Sequence, residues 1–141
     1  MCVYHFRLVV ILRIRKLIHL PQFIISNYII KKFGVEIGTE VEIGKNLRIA
    51  HIPGIVIGNG SKLGNNCILF QGILIGQSHG QYPIIGDNVT LCAHSCVLGG
   101  VKIGNDVIVL PNSVVTHNIP DNSIVAGIPA KVIKAKGCLK V

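Results

Sequence analysis

From Ile37 to Val115 an aliphatic side chain returns at nearly every sixth residue: Ile37, Ile43, Ile49, then Ile57, Leu63, Leu69, Ile75, then Ile85, Leu91, Val97, Ile103, Val109 and Val115. Glycine follows many of them, and the fifth place of the unit is often small or β-branched, as at Ser61, Cys67, Val89, Ser95, Val101, Val107 and Ser113. A helix would space its apolar residues at three and four, and a half-buried strand would alternate over a few residues, so this period predicts the stacked coils of a parallel β-helix. Each hexad supplies one short strand and a corner: the aliphatic fills the interior, and the small fifth residue fits where the wall turns inward. Three hexads, about 18 residues, close one triangular turn. A β-sandwich would instead show turns at intervals of about 8 to 12 residues.

Composition narrows this to one all-β repeat domain over residues 34–130, flanked by a segment 1–33 and a tail 131–141. Half of the 141 residues are hydrophobic, and five of the seven aromatics (Tyr4, Phe6, Phe23, Tyr28, Phe33) precede the repeats, so the coils have an aliphatic core. The net charge of +8 is concentrated at the two ends: residues 1–35 hold six bases and no acid, and the tail adds Lys131, Lys134, Lys136 and Lys140. The repeats offer neither stacking aromatics nor a groove-reading helix, which argues against nucleic acid as the partner. A basic tail suits a smaller polyanion, such as a phosphorylated cofactor.

Residues 1–33 read as a short, basic, amphipathic helical segment broken near Pro21. Its longest apolar run, Leu8 to Leu12, is too short to span a bilayer and is followed at once by bases, unlike a signal peptide. Either it caps the open end of the coils and packs between subunits, or it also rests on an anionic membrane face. Cys2, Cys67, Cys92, Cys96 and Cys138 form no ligand set, and their odd number fits reduced thiols in the cytoplasm. No metal is expected.

Chemistry is expected where the period breaks, because a solenoid expels insertions to one face as loops. The spacing is eight between Ile49 and Ile57, around His51, and ten between Ile75 and Ile85, in the loop 76–84 around His79. An imidazole with a reference pKa of about 6.5 can act as base and then as acid near neutral pH. His94 and His117 fall inside ordinary hexads and read as structural or exposed.

The stretch GVEIGTEVEIGKNLRIAHIPGIVIG, the hexapeptides after it, the extended loop and the terminal SIVAGIPAKVIKAKG resemble the serine acetyltransferase branch of the hexapeptide-repeat acyltransferases. The closest likeness is to short sugar O-acetyltransferases of capsule and exopolysaccharide synthesis. The resemblance covers roughly residues 22–137. It implies a left-handed β-helix, against the usual right-handed crossover, in homotrimers with clefts between neighbouring coils.

Residue by residue, the resemblance makes His51 the catalytic base toward an acceptor hydroxyl, with acetyl-CoA as donor and Glu36 as the carboxylate orienting the imidazole. His79 is a competing base or a substrate contact. Coenzyme A would be met by Gly76, Ala93, Ser95, Pro111, Ala126, Gly127, Ala130, Lys131 and Lys134.

The resemblance also sets the expected acceptor. Serine acetyltransferases carry an aspartate before the catalytic histidine and an arginine-histidine pair before the loop proline, where this chain has Ala50 and Gln81 with Tyr82. A neutral sugar ring stacking on Tyr82 and bonding Gln81 or His79 would suit those changes better than an amino-acid zwitterion. They also carry a large N-terminal helical domain, in whose place stands the basic segment, suited to work at the inner face of the cell membrane. The expectation is therefore a sugar O-acetyltransferase of surface polysaccharide biosynthesis. The alternatives are serine O-acetylation and a catalytically idle β-helix scaffold.

Overall fold

The computed structural model describes Tyr28 and residues 30–135. The basic segment, with its alternatives of end cap and membrane contact, lies outside the described residues except for Tyr28 and the helical residues 30–33. Gly34, with φ of 62°, ends that helix, its N–H donating to Ile30 O at 2.9 Å. Phe33 is buried against the first coil. Among the described residues no helix is long and apolar enough to cross a membrane.

The hexads wind into a left-handed parallel β-helix, as the period and the resemblance together lead one to expect. The first coil holds β1 (Val35–Ile37), β2 (Glu42–Ile43) and β3 (Arg48–Ile49). The second holds β4 (Ile55–Ile57), β5 (Lys62–Leu63) and β6 (Ile68–Leu69). The third holds β7 (Leu74–Gly76), β8 (Ile84–Ile85) and β9 (Thr90–Leu91). The fourth holds β10 (Cys96–Leu98), β11 (Lys102–Ile103) and β12 (Ile108–Val109). The fifth has β13 (Val114–Val115) and β14 (Ser123–Gly127), after which β15 (Ala130–Ala135) turns back.

Every third strand stacks on the same face. Face A is β1-β4-β7-β10-β13, face B is β2-β5-β8-β11, and face C is β3-β6-β9-β12-β14 closed by antiparallel β15. A regular coil advances the register by eighteen residues, as from Val56 to Leu74. The insertion around His51 lengthens the step to twenty (Val35 to Ile55) and the loop around His79 to twenty-two (Leu74 to Cys96), yet both keep the pairing parallel. Extra residues are thus absorbed at corners and leave the faces intact. Lys131 and Lys134, read from sequence as tail, lie on β15.

The interior follows the hexad. Ile57, Ile75, Val97 and Val115 are stacked and at most 1% exposed, and the small fifth-place residues Ser61, Cys67, Ser95 and Ser113 are equally buried. Each such aliphatic side chain contributes roughly 1.5–3 kcal/mol on leaving water. At the corner between faces B and C, Asn46, Asn66, Asn88, Asp106 and Asn122 all have φ near 60°. Asparagine and aspartate tolerate this left-handed backbone. Their amides cross-link the coils: Asn46 Nδ2 donates to Asn66 Oδ1 and Asn66 Nδ2 to Asn88 Oδ1, each at 3.1 Å.

Candidate active site along one edge of the prism

His51 stands at the corner where face C gives way to face A. The insertion IAHIPG bulges there, and its backbone stays tied to the coils around it: Gly54 N–H donates to Gly34 O at 2.8 Å, and Gly72 N–H to Pro53 O at 3.2 Å. The His51 side chain is exposed, and its ring lies 5.7 Å from that of Phe70 in a tilted arrangement. Among the described residues no hydrogen bond occupies the His51 ring nitrogens. An imidazole held against an aromatic ring, with both nitrogens open, is available for proton transfer.

Glu36 projects from β1 on face A, paired through its backbone with Val56 on the strand that follows His51. It therefore lies near the same end of the same edge, and the single chain forms no hydrogen bond or ion pair between the two. An ion pair, Lys62 to Glu42 at 2.9 Å, is on face B.

Above His51 the edge climbs coil by coil through Phe70–Gly72, Cys92–His94 and Leu110–Asn112 to Ala126 and Gly127, as the backbone bonds Phe70 to Leu91, His94 to Gln71, Asn112 to Ala93 and Leu110 to Val125 show. At about 4.8 Å per coil the rise from His51 to Gly127 is about 19 Å. Ala93, Pro111, Ala126 and Gly127, expected to meet coenzyme A, fall on this one line, with Lys131 beside Ala126 and Ala130 beside Gly127 across the closing hairpin. Gly127 N–H donates to Ser113 Oγ at 3.2 Å, fixing the top of the line. Lys134 continues along β15. Ser95 faces the core, with its hydroxyl buried, and Gly76 ends β7 at the other side of face A. Cys92 lies on the edge as well, and burial pushes its thiol pKa up.

The loop residues His79, Gln81 and Tyr82 occupy the opposite corner, between faces A and B. Their loop is a tight turn in which Ser78 and Gln81 exchange backbone hydrogen bonds of 3.1 and 3.0 Å, and Ser78 Oγ lies 3.0 Å from His79 Nδ1. Its side chains are seated on glycines of the neighbouring coils. A β-carbon on Gly60 would come within 2.8 Å of the Tyr82 ring, and one on Gly100 within 2.5 Å of Gln81 Oε1. Within one chain, His51 and His79 are therefore separated by the width of face A.

Two features of the edge escape a sequence reading. Gln71 Oε1 is buried without a hydrogen-bond partner. The ring of His94 lies on Gly72, where a β-carbon would overlap Nδ1 and come within 2.6 Å of Cε1. Among the described residues no three histidine, cysteine or acidic side chains cluster as a metal site.

Residues 82–117 match the bacterial transferase hexapeptide family (six repeats). The chain is 40% identical over 108 residues to a serine acetyltransferase of Staphylococcus aureus, a match covering 74% of this chain and 51% of that protein. The crystal structure of Neisseria gonorrhoeae serine acetyltransferase superposes with a TM-score of 0.78 at 32% identity, covering 84% of this chain and 46% of the other. A serine acetyltransferase complex with CoA superposes with a TM-score of 0.75 at 29% identity, over 79% of this chain and 47% of the other. The chain thus spans about half the length of the relatives it matches.

These matches correct the expected acceptor. The relatives and solved structures that this chain matches are serine acetyltransferases, which overturns the saccharide reading and its link to capsule and surface polysaccharide synthesis. The side chains of Tyr82 and Gln81, read as contacts for a sugar ring, lie over Gly60 and Gly100 and are exposed.

Proposed function

We propose that the chain is a hexapeptide-repeat acyltransferase that transfers the acetyl group of acetyl-CoA to the hydroxyl of serine. The observation that carries this reading is the edge itself, an unoccupied imidazole at the foot of a line of small residues about 19 Å long that ends at lysines. A long, thin donor laid along that line would bring its thioester to His51 and its phosphates toward Lys131 and Lys134. His51 takes the proton of the acceptor hydroxyl, the oxygen attacks the thioester carbon, and the imidazolium returns the proton to the departing thiolate. Glu36 stabilises the imidazolium.

The working unit in this proposal is a homotrimer. The outer side of face A carries Val56, Leu74, Cys96 and Val114 above Glu36, an apolar column suited to burial between copies, whereas face B presents Glu42, Lys62 and Lys102 with Ile84 among them. A neighbouring copy could also bring its His79 loop to the His51 edge, which a single chain keeps apart. Reduced thiols at Cys67, Cys92 and Cys96 suit the cytoplasm.

The test is to incubate the purified chain with acetyl-CoA and L-serine and follow both free thiol and O-acetylserine by mass spectrometry. Accumulation of O-acetylserine is expected, together with a trimer mass by light scattering. A trimer that binds acetyl-CoA and leaves serine unchanged would overturn the acceptor. A chain without acetyl transfer to any hydroxyl would leave the idle scaffold.

A further inference from the structure

The column of the edge that starts at His51 continues as Gln71, Ala93, Pro111 and Gly127. Each stands two residues beyond an interior residue of face C, and those interior residues, Ile49, Leu69, Leu91, Val109 and Val125, pair coil on coil. Alanine, proline and glycine keep the upper part of this column low, and they show that the position itself needs no amide. Gln71, on the coil directly above His51, is the exception. Its side chain is half-buried, its Oε1 is covered and accepts no hydrogen bond, and its Nε2 donates none among the described residues. A covered acceptor left unpaired is destabilising, and such a group beside a candidate reacting residue calls for a partner.

We propose that Gln71 positions the acyl donor by hydrogen-bonding the amide nearest its thioester. This inference rests on the reading of acetyl-CoA as donor given above, and not on which hydroxyl receives the acetyl group. In that donor two methylenes separate the sulfur from an amide N–H, a span close to the rise of about 4.8 Å between the level of His51 and that of Gln71. A thioester held at His51 therefore brings this amide to Gln71, while the rest of the arm continues past Ala93 and Pro111. The side-chain amide of glutamine turns about a soft terminal torsion, so Oε1 can swing outward and accept the donor's N–H. That bond sets how far the arm slides along the edge, and with it where the thioester carbon stops relative to the imidazole.

The test compares two ligands on two variants. Gln71→Met removes the amide and keeps an unbranched stem of similar length, and Gln71→Ala reproduces the residue at position 93. Calorimetry would measure the Kd of CoA and of a CoA analogue in which the amide nearest the thiol is replaced by an ester, so that the N–H alone is lost. The unsubstituted chain should bind CoA roughly 3- to 10-fold more tightly than the ester, and both variants should bind the two ligands equally. With acetyl-CoA and L-serine, the variants should lose a similar factor in kcat/KM for acetyl-CoA while the KM for L-serine stays unchanged. No discrimination in the unsubstituted chain, or discrimination that survives in both variants, would overturn the proposal. An equal loss on both ligands would make Gln71 a packing residue and overturn it as well. A chain that binds no CoA overturns the donor reading and this one together. A chain that binds CoA and leaves L-serine unchanged overturns the acceptor reading alone, since the comparison of the two ligands requires no turnover.

Discussion

Two edges of the prism are built on the same backbone plan and use their side chains in opposite ways. Where face B meets face C, left-handed residues stack as Asn46, Asn66, Asn88, Asp106 and Asn122, and their neighbours repeat the device: Asp87 N–H donates to Asn105 Oδ1 at 2.8 Å and Asn105 N–H to Asp121 Oδ1 at 2.7 Å. Where face C meets face A, the corner residues are again left-handed and bonded coil to coil through the backbone, yet the side chains of His51 and His94 bond to nothing among the described residues. One edge spends its polar groups on holding the coils in register. The other leaves them open because the faces on either side already hold the register, and this freedom is what a reacting group requires. Polarity alone does not mark a candidate site: the edge richer in polar side chains is the one that cross-links the coils.

The largest expected effect separates the edges by activity. His51→Ala should lower kcat by roughly 10²- to 10⁴-fold while leaving the melting temperature and the affinity for CoA near those of the unsubstituted chain, since the side chain is exposed. Calorimetry and steady-state kinetics on one preparation suffice, and retained turnover would remove His51 from the reaction.

A smaller effect should appear at the other edge and only in stability. Asn66→Gly keeps the left-handed backbone and removes both amide bonds, to Asn46 and to Asn88. The loss should be about 1–3 kcal/mol, read as a shifted urea midpoint, with kcat/KM per folded molecule unaltered. A kinetic defect of the same size as the stability defect would mean that the two edges are coupled.

The smallest effect belongs to face B, which neither edge uses. Lys62→Met breaks the exposed pair with Glu42, and solvent screening limits the cost to at most about 1 kcal/mol. Neither kcat nor KM should move. A larger loss would show face B to be covered in the assembled protein.

How much of this was legible follows from which distances the sequence states directly. The aliphatic hexad and the small fifth residue report the interior, so the coils, the core of Ile57, Ile75, Val97 and Val115, and the two insertions could be read without coordinates. Contacts between coils could not be read so easily, because they depend on a register that steps by twenty, eighteen or twenty-two residues according to the corner insertions. His94 therefore looks like an ordinary hexad residue until the register places its ring on Gly72. The asparagine ladder is hidden for the same reason. The acceptor was misread for a different one: the departures at Ala50, Gln81 and Tyr82 were weighed against serine, whereas the matched relatives are serine acetyltransferases. A side chain that differs from a relative's can be answering its own neighbours.

The strand β15 has a consequence for how copies of this protein can meet end to end. A parallel solenoid is a directional template: each finished coil offers the next one open N–H and C=O groups, and the next coil could come from another molecule. Along face C that offer is withdrawn, because β15 runs antiparallel against β14, with an irregular register between Ile124 and Val125. Lys131 and Lys134 stand exposed on it. Irregularity, reversed polarity and like charge each discourage strand addition. On that face, a chain whose repeat could in principle continue without limit is given a definite last step, which favours discrete assemblies over fibres.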